Sequence, residues 1–168
     1  APDVPPLAGL SLGHGEIAWF CFAGGLCFWL VLFPLAMGRI FTGDLLPAGL
    51  LPMLFIFLAP PSVGFLSWME LNGGVLDGVA RFFFYLGLFI ALCLATMAGR
   101  FLAIPWSLIS LAYTFPSAAL AAAALRFHQA SGGAASLVLA LVLLAFATIV
   151  FAGTLRRFAA GAFFRPEP

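Results

Sequence analysis

Apolar residues run along this chain in five long blocks, separated by short stretches where glycine, proline and the few charged residues gather. The blocks cover residues 16–38, 48–68, 79–98, 106–127 and 134–155. Each approaches or exceeds the ~20 residues an α-helix needs to cross the ~30 Å hydrocarbon layer of a bilayer. Residues 1–15 read as a Pro/Gly-rich loop, and Gly43-Asp44 marks a turn within 39–47. Asn72-Gly73-Gly74 marks a turn within 70–78, residues 99–105 form a short connection, and Ser131-Gly132-Gly133 punctuates 126–133. A basic, partly aromatic tail follows over 156–168. The pattern predicts an all-α membrane protein with five transmembrane helices joined by short loops.

The blocks differ in kind. Pro60-Pro61 interrupts the second and Pro116 the fourth. Two adjacent prolines remove two backbone donors, and lipid offers no substitute, so that break must be buried in protein or face water. Pro116 has no N–H, and its ring clashes with the carbonyl of Ala112. It follows Phe115 and precedes a run of small residues from Ser117 to Ala124, broken only by Leu120. A broken, small-faced helix packs closely on its neighbours; equally, it borders a narrow passage that one aromatic ring plugs. The first, third and fifth blocks are bulkier, with prolines terminal or absent. This alternation fits two layers, with broken helices inside and bulky ones against lipid. Two proline-kinked helices in an ordinary bundle satisfy the same pattern.

Composition removes the soluble alternative. Of 168 residues, 64% are hydrophobic and only 8% charged, against about 25% in a soluble domain. The mean hydropathy is +1.18. A net charge of +1 gives no hint of a nucleic-acid partner. Cys21, Cys27 and Cys93 fall inside apolar runs without C-x-x-C spacing or a nearby His, and read as buried, inert thiols. Arg39, Arg100, Arg156, Arg157 and Arg165 lie on one side of the five-span topology, and Arg81 and Arg126 on the other. The positive-inside rule then puts the C-terminus in the cytoplasm and the N-terminus outside. No basic residue precedes the first apolar run, so no signal peptide explains that topology. The expectation is the C-terminal part of a longer protein, with an odd number of upstream spans.

Candidate chemistry is sparse. There is no H-E-x-x-H motif, and His14, His128, Glu16, Asp44, Glu70 and Asp77 all fall in loops or at span ends. We expect no enzyme, cofactor or metal site. Proton-coupled carriers and pumps usually place an acid or His within the membrane; a passive conduit does not need one. A neutral passage lined by hydroxyls, backbone dipoles and aromatic edges suits an anion. The hydroxyls at depth are Ser62, Ser67, Ser110, Thr114 and Ser117, each of which can instead bond back to its own helix.

Five segments follow in order: Phe33-Pro34-Leu35-Ala36-Met37-Gly38-Arg39, Leu50-Leu51-Pro52, Ala59-Pro60-Pro61-Ser62-Val63-Gly64, Phe84-Tyr85-Leu86-Gly87-Leu88-Phe89 and Ala112-Tyr113-Thr114-Phe115-Pro116. Over about residues 4–160 this set resembles the C-terminal half of the tellurite-resistance/dicarboxylate transporter family. That family includes bacterial tellurite-resistance protein A, yeast malate and sulfite transporters, and plant slow-type anion channels. The resemblance implies ten transmembrane helices arranged as five hairpins, with inner kinked helices around a pore and an outer ring. The five spans here would be the sixth to tenth, and the second and fourth would be inner. The family's pore-blocking phenylalanine matches Phe115, with Tyr113 and Thr114 before it and Pro116 after it; the other inner kink matches Pro60-Pro61. Helix spacing adds Ser62, Gly64, Thr114, Ser117 and Ala118 as pore-lining candidates. Ser110 and Leu111 stand where many members carry a Trp-Trp pair.

The implied function is passage of small anions, of the chloride, nitrate, dicarboxylate or oxyanion class, past an aromatic gate. The implied setting is a homotrimer in a lipid bilayer, the bacterial inner membrane, completed by five N-terminal helices outside this sequence. Two alternatives share the pattern: a proton-coupled exporter of dicarboxylate, sulfite or tellurite-type oxyanions, and a non-transporting membrane subunit that binds a partner through its small-residue faces.

Overall fold

The computed structural model describes residues 15–42, 48–103 and 108–159. The expected N-terminal loop, the Gly43-Asp44 turn, Trp106 and the end of the tail with Arg165 lie outside the described residues. Helix α1 spans Gly15–Thr42. A first 3-10 segment, Ala48–Leu58, leads into α2, Ala59–Leu71. Helix α3 spans Gly78–Thr96 and α4 is the short turn Ala98–Leu102. A second 3-10 segment, Leu108–Tyr113, leads into α5, Thr114–Ser131, and α6 spans Ala134–Ala159. Among the described residues there is no strand.

Among the described residues, four stretches are long and apolar enough to cross a membrane: Gly15–Leu35, Leu51–Leu71, Gly78–Thr96 and Ala134–Ala159. They coincide with four of the five expected spans. The expected span over 106–127 is the second 3-10 segment plus α5. Its helix is alanine-rich and ends on Arg126, His128 and Gln129, so it is the least apolar of the five. At about 2.0 Å per residue in 3-10 and 1.5 Å in α geometry, Leu108–Ser131 is still about 40 Å long.

Boundaries shift for identifiable reasons. Helix α1 continues through Pro34 to Thr42, because a membrane helix absorbs one missing N–H by local adjustment. The connection after α3 winds into α4. Pro60, Pro61 and Pro116 do not break α-helices in mid-course; they fall in the first turns of α2 and α5. The leading N–H groups of an α-helix have no partner within it, so a proline there costs α2 or α5 none of its own bonds and acts only on the chain before it.

Two hairpins make the core. The turn between α2 and α3 uses Gly73 and Gly74 at φ 64° and 81°, and that between α5 and α6 uses Gly132 and Gly133 at 67° and 92°. Such angles exclude most side chains. The hairpins meet along α2 and α5 around Phe65, Met69, Phe83, Phe84, Ala123, Ala124, Phe127 and Ala140. A second cluster joins Leu54, Leu58, Ile90, Leu94 and Leu120. Helix α1 adds Trp19 and Phe22, each 5.9 Å from the Trp68 ring.

The second span is more buried than the first and fifth, as the expected division has it, while the third, expected with the outer helices, lies between. In the 18-residue apolar window of Leu51–Leu71, 44% of positions are buried, against 28% in that of Gly78–Thr96, 11% in that of Ala134–Ala159 and 0% in that of Gly15–Leu35. The outer helices turn Phe20, Phe28, Phe89, Leu92, Ile149 and Phe151 outward, a surface suited to lipid. One reading of the thiols needs correction: Cys21, Cys27 and Cys93 are exposed. Cys21 opens onto the space between α1 and α2, and Cys27 and Cys93 are exposed on α1 and α3; an apolar surround does not require burial within protein.

Candidate functional site

The site is built on two junctions of the same design. Leu58 ends the first 3-10 segment and is followed by Ala59-Pro60-Pro61-Ser62. Tyr113 ends the second and is followed by Thr114-Phe115-Pro116-Ser117. Pro116 withholds the α-helical bond that the Ala112 carbonyl would accept, and Pro60 and Pro61 do the same for Ile56 and Phe57. The chain before each junction takes the tighter 3-10 winding instead. Such runs rarely exceed three or four residues and often mark a hinge; the first here is 11 residues long.

Each junction carries a serine one residue past its proline. Ser62 Oγ donates to the Leu58 carbonyl at 2.7 Å. Ser117 Oγ donates to the Tyr113 carbonyl at 2.6 Å, with the Thr114 carbonyl 3.0 Å away. Both serines are buried, and both hydroxyls are spent on their own helix. Thr114 Oγ1 likewise donates to the Leu111 carbonyl at 2.7 Å. Ser62 sits where α2, α3 and α5 cross: a Cβ added to Gly87 would lie 3.4 Å from its Oγ and 3.5 Å from Leu120 Cδ1. Ser110 is buried and Ser67 half-buried.

The open faces of the two helices also correspond. On α5, Phe115, Ala118 and Ala122 are exposed and share one stripe at helical spacing. The equivalent stripe on α2 is Pro60, Val63 and Ser67, which lines a groove of about 620 Å³ against Cys21, Gly25 and Trp29 of α1. Gly64 borders the same groove and lies close to Phe83, whose ring carbons would be 3.1 Å from an added Cβ. Phe115, Thr114 and Ala118 do not line that groove. Apart from Tyr113 and Thr114, the candidates therefore fall into three settings. Pro61, Ser62, Pro116 and Ser117 are packed between helices, Pro60 and Gly64 face α1, and Phe115 and Ala118 stand on the open face of α5. Phe115 is 65% exposed.

Tyr113 belongs to an aromatic triangle. Its ring meets Phe55 at 4.7 Å and 84°, and Phe101 at 6.0 Å and 80°. Phe55 and Phe101 close the triangle at 5.2 Å and 75°. All three contacts are edge-to-face, the arrangement aromatic quadrupoles favour, each worth about 0.5–1.5 kcal/mol beyond area burial. The triangle ties the first 3-10 segment, α4 and the second 3-10 segment together beside the Phe115 junction.

At the other end of the hairpins, Asp77 caps α3. It accepts from the Ala80 N–H at 2.8 Å, from Trp68 Nε1 at 3.0 Å and from Asn72 Nδ2 at 2.9 Å. The Ala80 N–H, aided by Trp68, holds this carboxyl below its ordinary value of 3.8 against an opposing effect of partial burial. Arg126 reaches Glu70 at 3.7 Å and lies beside Gly74. Arg81, in the first turn of α3, shares this end with Arg126.

These features have counterparts in known proteins. The family model described as SLAC1, voltage-dependent anion channel, matches residues 2–158. The chain belongs to this family. The S-type anion channel SLAH2 of Arabidopsis thaliana is 34% identical over 143 residues, which is 85% of this chain and 27% of that protein. SLAH3 of the same plant is 33% identical over 147 residues, 88% of this chain and 23% of that protein. The guard cell S-type anion channel SLAC1 is 32% identical over 133 residues, 79% of this chain and 24% of that protein. The chain thus spans about a quarter of the length of these relatives. Their names place them among transport proteins rather than enzymes. Membership of the SLAC1 family, with four stretches among the described residues apolar enough to cross a bilayer, makes this an integral membrane protein. The resemblance read from the ordered motifs is this same family.

Two parts of the site escaped the reading of the sequence. The equivalence of the junctions had a signal, the Pro-Ser step at Pro61-Ser62 and again at Pro116-Ser117. The aromatic triangle had none, since Phe55, Phe101 and Tyr113 are far apart in the chain.

Proposed function

We propose that the chain supplies two inner helices, α2 and α5, of an anion-conducting pore, and that Phe115 is the ring that closes it. The observation that carries this reading is the exposure of Phe115. Leu120 and Phe127, the bulky residues further along α5 in its core-facing surface, are buried, whereas Phe115 stands 65% exposed among small residues. A bulky apolar ring at a constriction excludes water and raises the cost of ion entry. The stripe below it, Ala118 and Ala122, is uncharged, so an anion that passes the ring meets neither repulsion nor a trap.

On this reading the chain is the C-terminal half of the transmembrane domain, carrying the sixth to tenth helices, and the pore is completed by helices outside it. The whole protein passes small anions of the chloride, nitrate, dicarboxylate or oxyanion class. It works as a homotrimer in a plasma membrane, the inner membrane in a bacterium, with the C-terminus in the cytoplasm. The shared end of Arg81 and Arg126 supports that orientation, since it leaves Arg100, Arg156 and Arg157 at the opposite end.

The test is anion flux from liposomes holding the full-length gene product, with chloride, nitrate and a dicarboxylate supplied in turn. We expect electrogenic flux down a gradient with no proton gradient imposed. Uptake that appears only under a proton gradient contradicts the channel and identifies a coupled exporter. No flux under either condition identifies a non-transporting subunit.

A further inference from the structure

We propose that Phe55 is a positioning residue for the Phe115 gate, acting through Tyr113; the proposal rests on the reading of Phe115 as the gate. Phe55 lies on the first 3-10 segment, just before the Leu58 junction. Tyr113 is the last residue of the second 3-10 segment and stands two residues before Phe115. Their edge-to-face contact at 4.7 Å is the shortest side of the aromatic triangle and joins one junction to the other. Phe101, on α4, braces both rings from a third element.

The geometry explains why this contact bears on Phe115. Each residue turns about 120° in 3-10 winding and about 100° in α winding, and rises about 2.0 Å against 1.5 Å. Moving the boundary by a single residue therefore rotates and shifts everything on one side of it. Below the junction α5 is anchored by buried Leu120, Ala123, Ala124 and Phe127, so a change in winding is taken up at its first turn. Phe115 occupies that turn and makes no ring contact of its own among the described residues. Its direction is set by the residue on which the winding changes, and that residue is Tyr113. With Tyr113 held by two rings, the boundary stays where the structure has it and Phe115 keeps its place on the open face.

The experiment measures basal chloride flux from liposomes holding the full-length gene product as wild type, Phe55→Leu, Phe55→Tyr, Phe115→Ala and Phe55→Leu/Phe115→Ala. Leu keeps most of the volume and loses the ring; Tyr keeps the ring. Loss of the edge-to-face contacts raises basal flux about two- to tenfold in Phe55→Leu, while Phe55→Tyr stays near wild type. In the double variant flux equals that of Phe115→Ala alone, because the residue acts through the gate. A merely structural role does not produce that equality. Wild-type flux from Phe55→Leu, a further rise on top of Phe115→Ala, or Phe55→Tyr behaving as Phe55→Leu each overturns the proposal while leaving the gate intact. No change in Phe115→Ala itself removes the gate, and the role of Phe55 with it. If Phe55→Leu melts below the assay temperature in detergent, Phe55→Met replaces it in both backgrounds, and the same criteria apply.

Discussion

Ser62 and Ser117 hold the same position in two different helices. Each stands one residue past a first-turn proline and gives its hydroxyl to the carbonyl four residues back, at 2.7 Å and 2.6 Å. Around them the last 3-10 residue, the first α residue and the open stripe correspond one for one. The correspondence fails at the position before the second proline, where α2 has Pro60 and α5 has Phe115. One backbone plan thus serves twice, and a single exchange of side chain puts a ring on one open face and not on the other.

The glycines along α2 and α3 separate close approach from spare room. A Cβ on Gly87 would meet its neighbours at 3.4 Å and beyond, while one on Gly64 would meet two Phe83 ring carbons at 3.1 Å. Gly87→Ala therefore raises the melting temperature in detergent, since removing a helical glycine gains about 0.5–1 kcal/mol. Gly64→Ala lowers it, because Phe83 must move; overpacking of this kind costs about 1–3 kcal/mol.

Phe84 and Phe127 stack at 4.0 Å with planes 9° apart, joining α3 to α5. Both are buried. Replacing either with Ala costs about 3–5 kcal/mol. The double variant costs less than the two single losses together, because the rings are in contact. Unfolding of the four proteins in one detergent measures the difference.

Asp77 makes stability depend on acid. Its carboxyl is held below the ordinary 3.8 in the folded protein, chiefly by the Ala80 N–H. The stabilisation is therefore complete above that ordinary value and is lost as pH falls below it, through the lowered folded value. Asp77→Asn offers one acceptor oxygen where Trp68, Asn72 and Ala80 present three donors. We expect it to melt earlier at neutral pH and to show a flatter acid profile than wild type. Melting curves across the acid range measure both.

Much of the fold was legible because its signals are local. Apolar length marked the spans, and Asn72-Gly73-Gly74 and Ser131-Gly132-Gly133 marked turns whose positive φ angles the structure contains. The 3-10 segments were not legible. Winding with i−3 rather than i−4 bonds draws on the same residues and leaves no trace in an apolar run. Pro60, Pro61 and Pro116 looked like interruptions of helices and are instead in the first turns of α-helices, which cannot be told without knowing where the preceding winding ends. The exposure of Cys21, Cys27 and Cys93 was hidden for another reason: against lipid, apolar character does not separate inside from outside. Phe115 was singled out by the ordered motifs around it, but its place on an open face comes only from the packing of Pro116, Ser117 and Leu120 behind it.

The proposed role of Phe115 is to close an anion path. The most direct measurement is electrogenic chloride flux from liposomes holding the full-length gene product, wild type beside Phe115→Ala at matched protein density. Phe115 is exposed and outside the packed core, so the substitution leaves the fold intact, and a clear rise in flux is expected. Equal flux from the two proteins, with equal incorporation, would contradict it and make Phe115 an ordinary packing residue for a neighbouring helix.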